Sequence, residues 1–352
     1  MDKNLSGIRF FAAMNSGDGF KSYFNEIFGS LERLYIIKGG PGTGKSRFMG
    51  EVATYAEEKG LYVERYLCSS DPSSLDGIII PALSLGVIDG TAPHSYECQL
   101  VGAKDNIIDL GRFWCSKTIN KEIALIREIS ARKSRLYSEI YAYLNAAQDV
   151  DKVIKGTVGE FLKKEKLRDV AKKLARTLYV GEKYEKNIKI RSAISDSGII
   201  TLNSYAKMAK NRYAVSDMYG IGEIFLSELL RETEKMRVRS TVSYSPFSPT
   251  LPDAIYYPDS ETSFYIGNEN DFPEENINVR RFIDVKAIKP YKPKLRANEK
   301  IKKGLLSEVL FNFSSVKRLH SELELIYGSA MDFGAKEDFT REFIPSLFDN
   351  NA

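Results

Sequence analysis

The chain alternates short apolar runs with longer segments in which apolar residues recur every three or four positions. Leu34-Tyr35-Ile36-Ile37 is short and apolar enough for a strand buried in a parallel sheet, and Phe48, Val52 and Tyr55 follow it at helical spacing. Leu61 to Leu67 and Leu85-Gly86-Val87-Ile88 read as further strands. Beyond Lys117 the period lengthens: Ile123, Ile126 and Ile129, then Leu136, Ile140 and Tyr143, make one stripe and predict long helices. After Asn298 the pattern is helical again, with Leu305, Leu306, Val309 and Leu310 near its start. Strand-and-helix stretches that each lead into long helices predict an α/β protein with parallel sheets and helical arms.

The pattern occurs twice, and the doubling reaches individual residues. Tyr35 to Ser46, YIIKGGPGTGKS, lines up with Tyr213 to Ile224, YAVSDMYGIGEI. Ser73-Ser74-Leu75-Asp76-Gly77-Ile78-Ile79-Ile80-Pro81 lines up with Thr250-Leu251-Pro252-Asp253-Ala254-Ile255-Tyr256-Tyr257-Pro258, and Arg135 to Ile140 with Arg318 to Leu323. Phe11 to Tyr23 resembles Arg191 to Tyr205 across a small gap. Self-similarity over most of both halves predicts two copies of one domain, residues 1–186 with an arm from about 104, and residues 187–352 with an arm over about 299–348.

The first copy carries a chemical motif. Gly39, Gly40, Pro41, Gly42, Thr43, Gly44, Lys45 and Ser46 fit GxxxxGK[ST], followed by Arg47. Glycines there turn backbone N–H groups toward one anion, and the helix that follows adds the positive end of its dipole. Lys45 is then placed to reach the β- and γ-phosphates, the Ser46 hydroxyl to ligate Mg²⁺, and Gly39 to Arg47 to form the nucleotide cradle. The second copy has lost this set: the alignment sets Glu223 against Lys45, Ile224 against Ser46, Asp217 against Gly39 and Ile266 against Asp89, while Gly220 and Gly222 persist. One live and one degenerate phosphate loop are expected, with Pro81/Pro258 and Asp76/Asp253 kept for structure.

Loss in the second copy also marks Asp89, at the end of a buried strand, as a Mg²⁺ or water-shell ligand; the plainer alternative is an Asp that starts a turn. Asp71, in Cys68-Ser69-Ser70-Asp71-Pro72, either holds substrate or a nucleophilic water as a catalytic residue, or closes an Asx-turn before proline. His94 lies in the loop after Asp89 and is a further acid–base candidate beside a plain surface histidine. No Glu follows Asp89, so the hydrolytic base is left unassigned.

Composition narrows the setting. Three cysteines at no metal-ligand spacing predict a reducing compartment and a cytoplasmic protein. No charged-then-apolar leader opens the chain and no apolar stretch approaches 18 residues, so no membrane association is expected. The net charge of +4 is uneven: Lys117 to Lys189 holds 18 Lys/Arg against 10 Asp/Glu. Such a face is either solvated or a contact for nucleic acid or an acidic protein.

Tyr35 to Ser46, Cys68 to Pro72 with Leu75-Asp76-Gly77, and Val87-Ile88-Asp89-Gly90-Thr91-Ala92-Pro93-His94 together resemble a family of bacterial duplicated P-loop ATPases of unknown substrate. The resemblance covers both halves. It implies a P-loop fold and ATP binding through Gly39 to Ser46 and Asp89. The expectation is a slow Mg²⁺-dependent ATPase that acts as a switch on a protein partner through its helical arms, its two repeats paired as an intramolecular pseudo-dimer. A small-molecule phosphotransferase, with Asp71 or Asp76 orienting an acceptor hydroxyl, and a nucleic-acid-associated ATPase are the alternatives.

Overall fold

The computed structural model describes residues 7–92, 96–181, 183–267 and 275–349. Each repeat builds one six-stranded sheet. The first comprises β1 (Arg9–Phe11), β2 (Arg33–Lys38), β3 (Glu64–Leu67), β4 (Leu75–Ile80), β5 (Leu85–Asp89) and β6 (Asp105–Asp109), in the order β1-β3-β4-β5-β2-β6. The second comprises β7 (Lys186–Ile188), β8 (Asn211–Val215), β9 (Ser240–Ser245), β10 (Ser248–Tyr257), β11 (Thr262–Ile266) and β12 (Glu275–Ile277), in the order β7-β9-β10-β11-β8-β12. The two orders match strand for strand, and so do the orientations of every neighbouring pair.

The sheets are mixed rather than parallel as expected. β4 runs antiparallel to both β3 and β5, as β10 does to β9 and β11. The connection explains it: a single 3-10 turn, Pro81–Leu83, joins β4 to β5, and a link that short closes only an antiparallel pair. Ser84 (φ 46°) ends that turn and Glu261 (φ 45°) ends its counterpart, so even the strained position is repeated.

The helices are α1 (Lys45–Glu58), α2 (Ile123–Gly159), α3 (Lys164–Ala175), α4 (Ile221–Lys235), α5 (Lys292–Ser329) and α6 (Phe333–Ser346), with shorter turns between. α1 and α4 follow β2 and β8, each the neighbour of an edge strand. The arms start differently from expectation: Asp105–Asp109 is a sheet strand paired with β2, and the second arm's helix begins at Lys292.

Two compact units account for the chain, and neither is a sequence half divided near Lys186. The first-sheet unit takes the described residues of 7–13, 22–139 and 311–349; the second-sheet unit takes 14–21 and 140–310. Each sheet is therefore completed by the other repeat's arm. In the first-sheet unit Phe339, Phe343, Ile344 and Leu347 of the α6 region join the core formed by Phe48, Met49, Val52 and Ile80. In the second-sheet unit Leu167, Ala171 and Ala175 of α3 join Phe225, Leu226 and Leu229 of α4. A fully buried leucine such as Leu167 or Leu347 contributes about 1.5–3 kcal/mol, so the arms are part of the cores. The basic residues Lys163, Lys164, Lys166, Arg168, Lys172 and Lys173 lie on the exposed side of the α3 segment. Among the described residues no helix is long and apolar enough to cross a membrane.

Candidate functional site

The loop from Gly39 to Gly44 joins the carboxyl end of β2 to the amino end of α1. Gly42 (φ 72°) and Gly44 (φ 79°) occupy the left-handed region, and Gly44 caps α1. A Cβ on Gly42 would stand 2.6 Å from the Glu324 carbonyl oxygen, so close approach adds a second reason for glycine there. The first residue of α1, Lys45, donates to the carbonyls of Gly39 (3.0 Å) and Gly40 (2.9 Å). Its ammonium lies 3.5 Å from Asp89 Oδ2, both side chains being mostly buried (12% and 14% exposed). Sheet register makes this meeting: β2 and β5 are parallel neighbours, with Ile37 opposite Asp89. Asp89 Oδ1 accepts from the Thr91 N–H (2.8 Å) and hydroxyl, so the residue starts a turn and faces Lys45 as well.

Ser46 Oγ accepts from the Leu75 N–H at 3.0 Å, and Thr43 Oγ1 donates to the Gly40 carbonyl at 2.9 Å. Asp71 Oδ1 accepts from the Ser73 hydroxyl at 2.8 Å and lies 3.4 Å from Lys317 Nζ. Arg47 is not brought to this group; its guanidinium is exposed and paired with Glu51 (2.8 Å) and Glu337 (3.3 Å). His94 lies outside the described residues.

Several residues around the loop were missed from sequence, all but Trp114 carried by helices. Tyr327 and Trp114 lie beside Gly40, their rings tilted by 37° with centroids 5.2 Å apart. His320 Nδ1 is 2.9 Å from Lys133 Nζ, and its Nε2 is 3.6 Å from Glu324 Oε1. An ammonium has only donors, so Nδ1 accepts and the ring proton sits on Nε2, facing Glu324. Burial, then the charges of Lys133 and Lys45, push the imidazole down to about 4, leaving it neutral. Burial and the Asp71 carboxylate push Glu324 above the ordinary carboxylate range, against the pull of Lys45 and Lys133. Burial likewise lowers Lys133. The available signal was the repeat itself: His320 stands where the first copy has Tyr137, within the aligned stretches Arg135 to Ile140 and Arg318 to Leu323.

The corresponding loop of the second-sheet unit is filled by its own side chains. The aligned pairing needs one correction. α1 buries Phe48, Met49, Val52 and Ala53, and α4 buries Phe225, Leu226, Leu229 and Leu230 at the same spacing. Ten residues separate Ile37 from Phe48 and nine separate Val215 from Phe225. The second loop is thus one residue shorter, and Glu223 stands in the place of Ser46 while Gly222 stands in that of Lys45. Asp217 Oδ1 accepts from the Gly222 N–H (2.9 Å) and Oδ2 from the Gly220 N–H (3.2 Å), so a carboxylate takes the position of a bound anion. Glu223 pairs with Lys155 of α2, which also meets Asp151 Oδ2 (2.7 Å) and Ser248 Oγ (2.6 Å). β8 sets Val215 opposite Ile266, the apolar counterpart of Asp89.

Comparison with known protein families, with curated proteins and with solved structures returned no match for this chain. The chemistry of the loop is therefore argued from its own geometry.

Proposed function

We propose that the Gly39–Ser46 loop is a P-loop that binds the phosphates of ATP, and that the chain hydrolyses ATP slowly with Mg²⁺ to switch a protein partner. The observation that carries this is the buried Lys45–Asp89 pair, set on adjoining elements between two left-handed glycines and a helix amino terminus. Lys45 resting on the carbonyls of Gly39 and Gly40 is a cation at the loop's mouth, ready to exchange those contacts for phosphate oxygens. Ser46 and Asp89 supply the hydroxyl and carboxylate that would hold Mg²⁺, which when bound neutralises phosphate charge. A cavity of about 770 Å³ lined in part by Phe113, Trp114, Met331 and Phe333 offers apolar faces to a base.

The unassigned hydrolytic base is, in this reading, Glu324. It takes the proton of a water whose oxygen bonds the γ-phosphorus while the bond to the β–γ bridging oxygen breaks, leaving ADP and inorganic phosphate. The Nε2–H of His320 faces its carboxylate at 3.6 Å. The filled second loop binds nothing.

Calorimetry of the full chain with Mg-ATP tests the assignment. One site per chain is expected, weakened about tenfold or more in Lys45→Ala, since a hydrogen bond to a charged group is worth about 1.5–3 kcal/mol. Asp89→Asn is expected to fold normally and lose Mg²⁺-dependent turnover. Unchanged affinity in Lys45→Ala sinks the site, and two equivalent sites sink the reading of the second loop.

A further inference from the structure

Lys336 has no role in the chemistry described so far. It is the fourth residue of α6 and only 2% exposed. Its Cε and Nζ lie 3.8 Å from the point that a Cβ on Gly44 would occupy, which sets the ammonium against the amino end of α1. Among the described residues no carboxylate comes within 4.0 Å of Nζ, and Nζ makes no hydrogen bond. The two carboxylates that act on it at longer range, Glu51 and Glu337, are themselves paired with Arg47. Burial accordingly lowers the lysine's affinity for its proton.

Buried lysines are nearly always paired, because an ammonium removed from water needs compensation. Lys336 sits in the first turn of α6, whose amino end the Asp332 carboxylate caps by accepting from the Ala335 N–H at 2.9 Å, and it faces the amino end of α1, which no side chain caps. An ammonium and the amino end of α1 thus converge on Gly44, with Glu51 and Glu337 acting on that ammonium only from beyond 4.0 Å. Lys45, by contrast, has Asp89 and two carbonyls.

We propose that Lys336 is a second phosphate-binding lysine of this site, delivered to the first repeat's loop by the second repeat's arm. The ligand class is a polyphosphate, and the inference rests on reading Gly39–Ser46 as a nucleotide loop. Two cations would then grip the chain of phosphates, Lys45 from the strand side of α1 and Lys336 from α6.

The test uses the full chain, Mg-ATP and inorganic pyrophosphate as probes, and the variants Lys336→Met and Lys336→Arg. Calorimetry is expected to show Lys336→Met weakening both probes about tenfold or more, with Lys336→Arg recovering most of the loss. The ligand-free Lys336→Met protein is expected to melt at or above the wild-type temperature, because an unbalanced buried charge is gone, while the rise on adding ATP shrinks. Wild-type binding with unchanged binding in Lys336→Met overturns the role of Lys336 and leaves the loop reading intact. A ligand-free Lys336→Met protein that melts well below wild type makes the lysine structural and also overturns the proposal. A wild-type chain that binds neither probe removes the loop reading and this inference with it.

Discussion

Replacing Lys155 by Met should cost the second-sheet unit about 3–5 kcal/mol at neutral pH, the usual cost of removing one partner from a buried ion pair. The structure puts the variant at the upper end. Lys155 is the shared partner of Asp151 and Glu223, whose side chains are 9% and 12% exposed, and it also donates to Ser248. Asp151 keeps Lys302, but Glu223 loses its only ion-pair partner among the described residues. The pH dependence has a definite sign. Burial raises Glu223 above its ordinary value of 4.5 even with Lys155 in place, so ionising it already opposes folding as pH rises through that range. Without the ammonium the value rises further, and the variant's deficit is expected to be large at pH 7.5 and to shrink toward pH 5 as Glu223 takes up a proton. Urea titrations followed by circular dichroism at the two pH values measure the deficit, and hydrogen exchange at amides of α4 locates it. A deficit under about 1 kcal/mol, or one that grows in acid, refutes the reasoning.

Glu324→Gln should keep Mg-ATP affinity within a few-fold and slow phosphate release about 10²- to 10⁴-fold, the range for a lost general base; wild-type turnover would rule Glu324 out. His320 should stay neutral through the range above pH 5, its ring signal titrating near pH 4 by NMR and identified by its absence in His320→Gln. Because its folded value lies below the ordinary 6.5, the stability it contributes is present above pH 6.5 and is lost as pH falls toward 4, and His320→Gln should flatten that part of the acid profile. A ring titrating at 6.5 or above would show that it is neither buried nor held by Lys133.

What could be read from the sequence was what is local. The run Leu34 to Ile37, the glycines at 39–44 and the helical spacing after Lys45 fix β2, its loop and α1 through neighbours a few residues apart, and the structure returns them. Asp89 came from comparing the repeats, since a carboxylate lost together with Lys45 and Ser46 marks a shared site. The one-residue shortening of the second loop escaped notice because Gly220 and Gly222 match Gly42 and Gly44 in the ungapped register; the buried face of α4 favours the other. His320, Glu324 and Lys336 escaped for a deeper reason. Helical periodicity predicts which side of an arm is apolar, but not which sheet that side will cover, and the arms cover each other's sheets.

That exchange imposes an order on synthesis. The loop around Gly42 leaves the ribosome long before Glu324 and Lys336 do. At roughly 5–20 residues per second the interval is on the order of tens of seconds. Throughout it the first sheet must persist with Tyr35 and the outer face of α1 lacking Phe339 and Phe343, and its loop lacking every group that α5 and α6 bring. A chain cut before α5 would carry the Gly39–Ser46 loop without Glu324 and Lys336, so under the proposed function turnover would wait until α6 had docked.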